Sequence, residues 1–412
     1  MEGSDYRPRL IDKTLDTLLA QLPAVMVTGP RAAGKTTTAG RHAAEIVRLD
    51  RPREAAAFRA DPDVALGGYK EPILLDEWQE VPSVLGAVKR AVDRNPRPGR
   101  FILTGSVRAD LETVTWPGTG RVVRVPMYGM TVRELDGNTG GYSLLDRLAS
   151  GEPLSVPNDS PDLRGYVELA LRSGFPDPAL STSASVRARW LEGYVDQLLT
   201  RDAAGIDSRR DPARLRRYFE AYALNTAGIV SDATLLRAAG INRRTAMAYE
   251  QLLTNMFVVE AMPAWTSNRL RRLSLGPKRY FVDPAIPAAA LHLDEDAVLR
   301  DGDLLGRLLD TFVAAQLRAE CASSDARPRL YHLREEHGRR EVDVLAEIGG
   351  RDLLAFEVKA DAAPSRDAAR HLTWLRDRLG DRFAGGVVLH TGPRPYGLGE
   401  RIVAAPICAL WG

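Results

Sequence analysis

The stretch AVMVTGPRAAGKTT, residues 24–37, constrains this chain more than any other segment. It reads as a buried strand, a glycine-rich loop and the start of a helix, an order that leaves room for a polyphosphate at the loop. Gly29, Gly34, Lys35 and Thr36 fall at the G-x-x-x-x-G-K-[ST] spacing. Glycines let the backbone wrap the phosphates, and the helix start adds its positive end. Lys35 then reaches the β- and γ-phosphates, while the Thr36 hydroxyl binds Mg²⁺. The nucleotide-binding set is therefore Gly29, Pro30, Arg31, Ala32, Ala33, Gly34, Lys35, Thr36 and Thr37.

Two later strands supply the partners this loop needs. Ile73 to Leu75 runs into Asp76 and Glu77. An acid at the carboxyl end of a neighbouring strand is where a Mg²⁺ ligand belongs, and a following acid can orient the attacking water. Asp76 is assigned to the metal shell and Glu77 to general base; the plain alternative is a strand capped by solvated acids. The strand RFILTGS places Thr104 to sense the γ-phosphate, with Ser106 as the alternative. Arg121 lies in the Gly-rich turn of WPGTGRVVRV, either as a finger to a neighbouring subunit's nucleotide or as a surface residue. Together GPRAAGKTTT, LLDEWQEVP, FILTGS and GTGR resemble the AAA-type ATPase domain of a widespread bacterial and archaeal group, in which a C-terminal domain of unknown function follows. The resemblance extends over nearly the whole chain. It implies ATP and Mg²⁺ as cofactors and ATP hydrolysis as the activity, and it names no substrate.

At 412 residues the chain exceeds one ordinary core, so two or three are expected. No apolar run approaches the ~18 residues of a membrane span, and the first residues, MEGSDYRPRL, lack the apolar core of a signal peptide. Cys321 and Cys408 suggest no disulfide framework. A cytoplasmic protein with no membrane partner is expected. The formal net charge is only +2, yet between Arg237 and Tyr280 eight basic residues face two acids, Glu250 and Glu260. That excess is an electrostatic footprint for a polyanion. The same region reads as three helices (215–225, 232–239 and 243–254) and two strands, FVVEAMP and KRYFVDP, which is a winged-helix pattern. DNA contact is assigned to Arg243 and Arg244 at the start of the third helix, and to Arg269, Arg271 and Arg272 in the wing. The alternative is a protein-binding adaptor.

The last third contains the hairpin REVDVLAEIGGRDLLAFEVKA, residues 340–360. Strand alternation puts Val342, Val344 and Ala346 on one face and Glu341, Asp343 and Leu345 on the other; Ala355, Glu357 and Lys359 share a face of the next strand. Converging there, Asp343 and Glu357 would hold Mg²⁺, with Lys359 beside the attacking water or scissile phosphate. Asp310, on the preceding helix, is the further acid. This is the D…E-x-K layout of the PD-(D/E)xK nuclease fold; a non-cutting platform or an edge hairpin with a solvated Glu–Lys pair are the alternatives. His332, His371 and His390 read as structural.

The expected architecture is α/β: a P-loop (RecA/AAA-like) parallel-sheet domain over 1–150, a helical connector over 151–210, a winged-helix-like domain over 211–292, and a restriction-endonuclease-like α/β domain over 293–412. The expected activity is a Mg²⁺-dependent ATPase acting on DNA in processing, repair, branch migration or defence, with homo-oligomers formed through Arg121 in trans. The competing expectation is an ATP-dependent switch that gates a protein partner and carries an inactive nuclease-like domain.

Overall fold

The computed structural model describes residues 6–106, 120–180, 183–203, 211–229, 232–335 and 338–412. Residues 107–119, which include the stretch from Trp116 to Thr119 just before Arg121, lie outside them. The chain divides into two compact units, residues 1–129 with 253–258, and residues 130–252 with 259–412. Among the described residues no helix is long and apolar enough to cross a membrane.

The first unit is built on five strands: β1 (Ala24–Thr28), β2 (Glu45–Arg48), β3 (Ile73–Asp76), β4 (Phe101–Gly105) and β5 (Val123–Pro126). All pair in parallel, in the order β2-β3-β4-β1-β5. A parallel sheet is covered on both faces, so its central strands must be apolar throughout. AVMVT in β1 meets that demand and is buried at every position, as is FILTG in β4. Phe58, Leu75, Val88 and Leu103 form the packed core on one side of the sheet. The loop after β1 leads into helix α1 (Lys35–Gly40). It therefore opens at the carboxyl edge of the sheet, beside the ends of β3 and β4, where ligands of open α/β sheets bind.

The second unit contains α2 (Pro212–Ala223), α3 (Asp232–Ala239) and most of α4 (Arg243–Asn255), followed by the antiparallel pair β6 (Val259–Met262) and β7 (Lys278–Phe281). Helix α2 starts three residues before the sequence reading placed it. The Asp211 carboxylate accepts from the Ala213 and Arg214 N–H groups, and Pro212 takes the first helical position. Between β6 and β7, Asn268 caps a short helical turn, Arg269–Arg272.

The remainder forms a six-stranded mixed sheet from β8 (Arg329–Glu335), β9 (Arg340–Ile348), β10 (Asp352–Val358), β11 (Phe383–His390), β12 (Tyr396–Gly399) and β13 (Ile402–Pro406), in the order β12-β13-β11-β10-β9-β8. Long helix α5 (Gly302–Ser323) packs Leu309, Phe312 and Val313 against Val344, Ala346, Leu354 and Phe356. Helix α6 (Arg370–Leu379) packs Leu372 and Leu375 against Val342, Leu345, Leu353 and Ala355 on the other face. At roughly 1.5–3 kcal/mol for each fully buried large side chain, these two layers dominate the stability of the sheet.

Two expectations need correction. Val342 does not share a face with Val344, because the β8–β9 register slips by one residue between Tyr331↔Leu345 and Leu333↔Val342. The extra residue of β9 is a bulge at the Asp343 region, and a bulge reverses the alternation past it. Strand β11 runs through Gly385 and Gly386. A Cβ on Gly386 would meet the Phe383 ring at 2.9 Å and Leu372 at 3.3 Å, so the glycine marks close packing. Finally, residues 130–150 belong to the second unit. Val132, Leu144 and Leu145 share a core with Leu309, Phe312 and Trp411, and the side chains of Arg133 and Glu320 are paired at 3.0 Å while only 5% and 3% exposed.

Candidate nucleotide cradle and carboxylate–lysine cluster

In the first unit, backbone geometry shapes the loop. Gly34 takes the left-handed conformation at φ 90°, and a Cβ on Gly29 would lie 2.0 Å from the Met127 carbonyl oxygen. Neither position tolerates a side chain. Lys35 is 5% exposed, and its Nζ donates to the Pro30 carbonyl oxygen at 2.8 Å. Burial pulls its ammonium down to about 8, against the opposing pull of Glu77 and Asp76. The Thr36 hydroxyl donates to Asp76 Oδ1 at 2.7 Å, and the Thr104 hydroxyl donates to the same oxygen. The Glu77 N–H donates to Thr104 Oγ1 at 3.4 Å. Glu77 Oε2 accepts from Ser106 at 3.2 Å and from the Gln79 amide.

The structure thus brings together the loop, Asp76, Glu77, Thr104 and Ser106. Thr104 and Ser106 divide the two acids between them: one orients Asp76, the other Glu77. Glu77 sits at φ 52°, a conformation that costs a non-glycine residue roughly 1–2 kcal/mol. The donor set fits a nucleotide with Mg²⁺. An ammonium with spare donors faces the loop, and a hydroxyl and a carboxylate that already share a hydrogen bond suit one hard cation.

Arg121 is exposed, and its Nε donates to Asp93. That pair lies within the first unit.

The basic region of the second unit is less free than its composition implies. Arg272 forms a bidentate pair with Glu347, both bonds 2.9 Å, with its side chain 9% exposed, and stacks on Trp265 and Tyr331. Its assignment to DNA is corrected on that ground: the guanidinium already has its carboxylate. Arg279 pairs with Glu250 at 2.8 Å. Arg243, Arg244, Arg269 and Arg271 remain exposed; the Arg269 guanidinium also donates to the Gly350 carbonyl oxygen at 3.0 Å. A cavity of about 700 Å³ is lined by Trp265, Asn268, Arg271, His332, Arg334 and Arg378, among others.

The C-terminal acids gather around Lys278, a member of the basic excess between Arg237 and Tyr280 to which the sequence assigns no site role. Lys278 is 2% exposed, and its Nζ donates to Asp310 Oδ2 at 2.5 Å and to Asp343 Oδ1 at 3.0 Å. Tyr280 OH donates to Asp310 Oδ1 at 2.9 Å, and the Val358 N–H donates to Asp343 Oδ2 at 3.0 Å. Alongside, Lys359 Nζ donates to Glu357 Oε2 at 3.0 Å, and His371 Nδ1 lies 3.8 Å from Glu357 Oε1. Burial pushes Asp310 up to about 6 against Lys278, and burial with the Asp343 charge pushes Glu357 up to about 7. Burial also disfavours charge on Asp343, yet Lys278 and Lys359 hold its carboxyl below the ordinary value.

Asp310, Asp343, Glu357 and Lys359 do assemble, but the set does not fit a divalent cation. Five of its six carboxylate oxygens are taken up by ammonium, phenol and amide donors, which leaves only Glu357 Oε1 open. Among the described residues no group of three His, Cys, Asp or Glu side chains is arranged to hold a metal. The one signal for Lys278 in the sequence was Lys278 and Tyr280 alternating with Arg279 and Phe281 in KRYF, which puts a lysine and a tyrosine on one pleat face. His371, read as structural, stands at the rim of the same cluster.

Comparison with known proteins gives three matching family models: an AAA domain over residues 21–136, a domain of unknown function (DUF8612) over 163–297, and a domain of unknown function (DUF4143) over 305–410. Uncharacterized protein Rv2008c of Mycobacterium tuberculosis (strain ATCC 25618 / H37Rv) is 30% identical over 394 residues, covering 94% of this chain and 81% of that protein. Uncharacterized protein Mb2031c of Mycobacterium bovis matches to the same extent. Among solved structures, the Walker-type ATPase PABY2304 of Pyrococcus abyssi is 12% identical with a TM-score of 0.43, over 70% of this chain and 99% of that one. The Orc1 protein of Aeropyrum pernix in complex with DNA is 13% identical with a TM-score of 0.26, over 72% and 95%.

Proposed function

The chain belongs to the family of the mycobacterial proteins Rv2008c and Mb2031c, and we propose that it is a Mg²⁺-dependent ATPase whose hydrolysis cycle acts on DNA. The hydrogen-bonded line Thr36–Asp76–Thr104 beneath a glycine-rich loop carries the ATPase reading. Thr36 Oγ1 and Asp76 Oδ1 would hold Mg²⁺, which would supply neutralisation of the developing phosphate charge. The Lys35 ammonium, now on the Pro30 carbonyl oxygen, would bind the phosphates. Glu77, held by Ser106 and Gln79, would take the proton of the attacking water, and the Thr104 hydroxyl, now on Asp76, would sense the γ-phosphate. Arg121 is exposed; if it leaves Asp93 to act in trans on the nucleotide of a second copy, turnover per chain should rise with protein concentration.

The buried Lys35 gives ATP binding a pH signature. The free ammonium titrates at about 8, and phosphates raise that value, so binding takes up a proton wherever Lys35 is neutral. Affinity for ATP should be complete below pH 8 and fall above it, approaching tenfold per pH unit. Calorimetry in buffers of different ionisation enthalpy measures the uptake. A flat affinity between pH 7 and 9.5 would remove Lys35 from the phosphate contact.

For DNA, support comes from exposed Arg243, Arg244, Arg269 and Arg271 on a helix–helix–helix–strand–strand segment, and from the guanidinium-lined cavity beside them. Charge reversal at Arg243 and Arg244 together should weaken DNA binding and flatten its salt dependence, because fewer counterions are released. Steady-state ATP turnover with no DNA, duplex, single-stranded and branched DNA is the direct test of coupling. Stimulation by one form names the substrate; turnover indifferent to all of them refutes the coupling to DNA and leaves a nucleotide-dependent switch for a protein partner. The ammonium of Lys278 among the C-terminal acids favours that second reading as far as cutting is concerned.

A further inference from the structure

The acid cluster of the second unit holds three carboxylates, Asp310, Asp343 and Glu357, and two ammonium groups, Lys278 and Lys359. Each oxygen can be followed to its donor. Asp310 gives Oδ2 to Lys278 and Oδ1 to Tyr280. Asp343 gives Oδ1 to Lys278 and Oδ2 to the Val358 N–H. Glu357 gives Oε2 to Lys359, and its buried Oε1 alone has no hydrogen bond. His371 is the remaining titratable group facing it, at 3.8 Å. A divalent cation such as Mg²⁺ demands about six oxygens, and one is open here.

The element that closes the site comes from outside the hairpin. Lys278 lies on β7, 32 residues before Asp310 and 65 before Asp343. Its ammonium is enclosed between the two aspartates and above the Tyr280 ring, 5.5 Å from the centroid. A second cation brought within a few ångströms of it would be repelled in a region of low effective dielectric, where such repulsion is poorly screened. Without Lys278 the balance changes from three carboxylates against two ammonium groups to three against one, and both Asp310 Oδ2 and Asp343 Oδ1 lose their donor.

We propose that Lys278 is the resident cation of a latent divalent-metal site: its ammonium occupies the position between Asp310 and Asp343 and thereby excludes Mg²⁺ or Mn²⁺ from Asp343 and Glu357. The second unit then carries the acids of a metal-dependent cluster in a form neutralised by its own chain. This inference rests on the second unit alone and stands or falls independently of ATP hydrolysis.

The test is Mn²⁺ binding to the full chain without nucleotide, followed by electron paramagnetic resonance of the free ion, with each protein compared to its own Asp343→Asn counterpart so that only this cluster contributes. The parent chain and its Asp343→Asn variant should bind Mn²⁺ alike. Lys278→Met should gain one ion, bound at least about tenfold tighter than by Lys278→Met with Asp343→Asn, a difference of about 1.4 kcal/mol. If Lys278→Met does not fold, Lys278→Met with Asp310→Asn removes the buried pair together and is measured in the same way. Mn²⁺ binding by the parent that Asp343→Asn abolishes would overturn the proposal, as would a folded Lys278→Met that gains no ion. Failure of both lysine variants to fold would overturn it too, since Lys278 would then be a structural strut rather than a counter-ion.

Discussion

Lys35→Ala should reduce ATP turnover at least about 10²- to 10³-fold while leaving the chain folded. The magnitude follows from what removal of one preorganised donor to developing charge costs in a water-poor site. Lys35 is 5% exposed and its ammonium is held by the Pro30 carbonyl oxygen, so it is in place before any nucleotide arrives. Nothing else among Gly29 to Thr37 can replace it, because Arg31 is exposed and Thr36 already bonds Asp76. The fold should survive, since a buried lysine whose pKa is depressed by desolvation contributes little to stability. Turnover by phosphate release, with far-ultraviolet circular dichroism as the folding control, decides the matter. A folded Lys35→Ala protein hydrolysing ATP at the parent rate would exclude the loop as the catalytic site.

Arg133→Ala should destabilise the second unit by about 3–5 kcal/mol, the cost of leaving a buried charge without its partner. Glu320 is 3% exposed at its side chain; it accepts from Arg133 at 3.0 Å and from the Leu144 N–H at 2.8 Å. Arg133 also donates to the carbonyl oxygens of Asn138 at 2.7 Å and Gly140 at 2.8 Å, so one guanidinium fastens residues 133–144 to helix α5. Val132, Leu144 and Leu145 add apolar burial to the same attachment. A fragment beginning at residue 130 should therefore unfold cooperatively, whereas one beginning at 151 should not. Urea denaturation of the full chain and both fragments measures this. Equal midpoints for Arg133→Ala and the parent, or a cooperative 151–412 fragment, would place residues 130–150 outside that core.

These two results draw on different kinds of information. The role of Lys35 is written in nine consecutive residues, because a phosphate loop is built from contiguous backbone and its side chains need no distant partner to face the ligand. Asp76 and Thr104 were legible for a related reason. Each ends an apolar run, and parallel strands covered on both faces align their carboxyl ends. The importance of Arg133 was not legible, since its partner stands 187 positions away and nothing local separates a surface arginine from a buried one. Alternation along β9 failed at one bulge, an insertion that has no reliable signature in residue types alone.

The charge distribution shows the same division. Composition established that basic residues concentrate between Arg237 and Tyr280, but net charge counts residues without asking what stands opposite them. The fold brings Glu347 to Arg272, Glu250 to Arg279, and Asp310 with Asp343 to Lys278, and these ion pairs cross 75, 29, 32 and 65 positions. The sequence by itself determined the α/β class, the nucleotide loop and the presence of a D…E-x-K hairpin, because periodicity and contiguous motifs act over a few residues. Only the tertiary structure decided where the second unit begins and that an ammonium sits among its acids, because burial and charge pairing depend on which distant segments come to share one low-dielectric space.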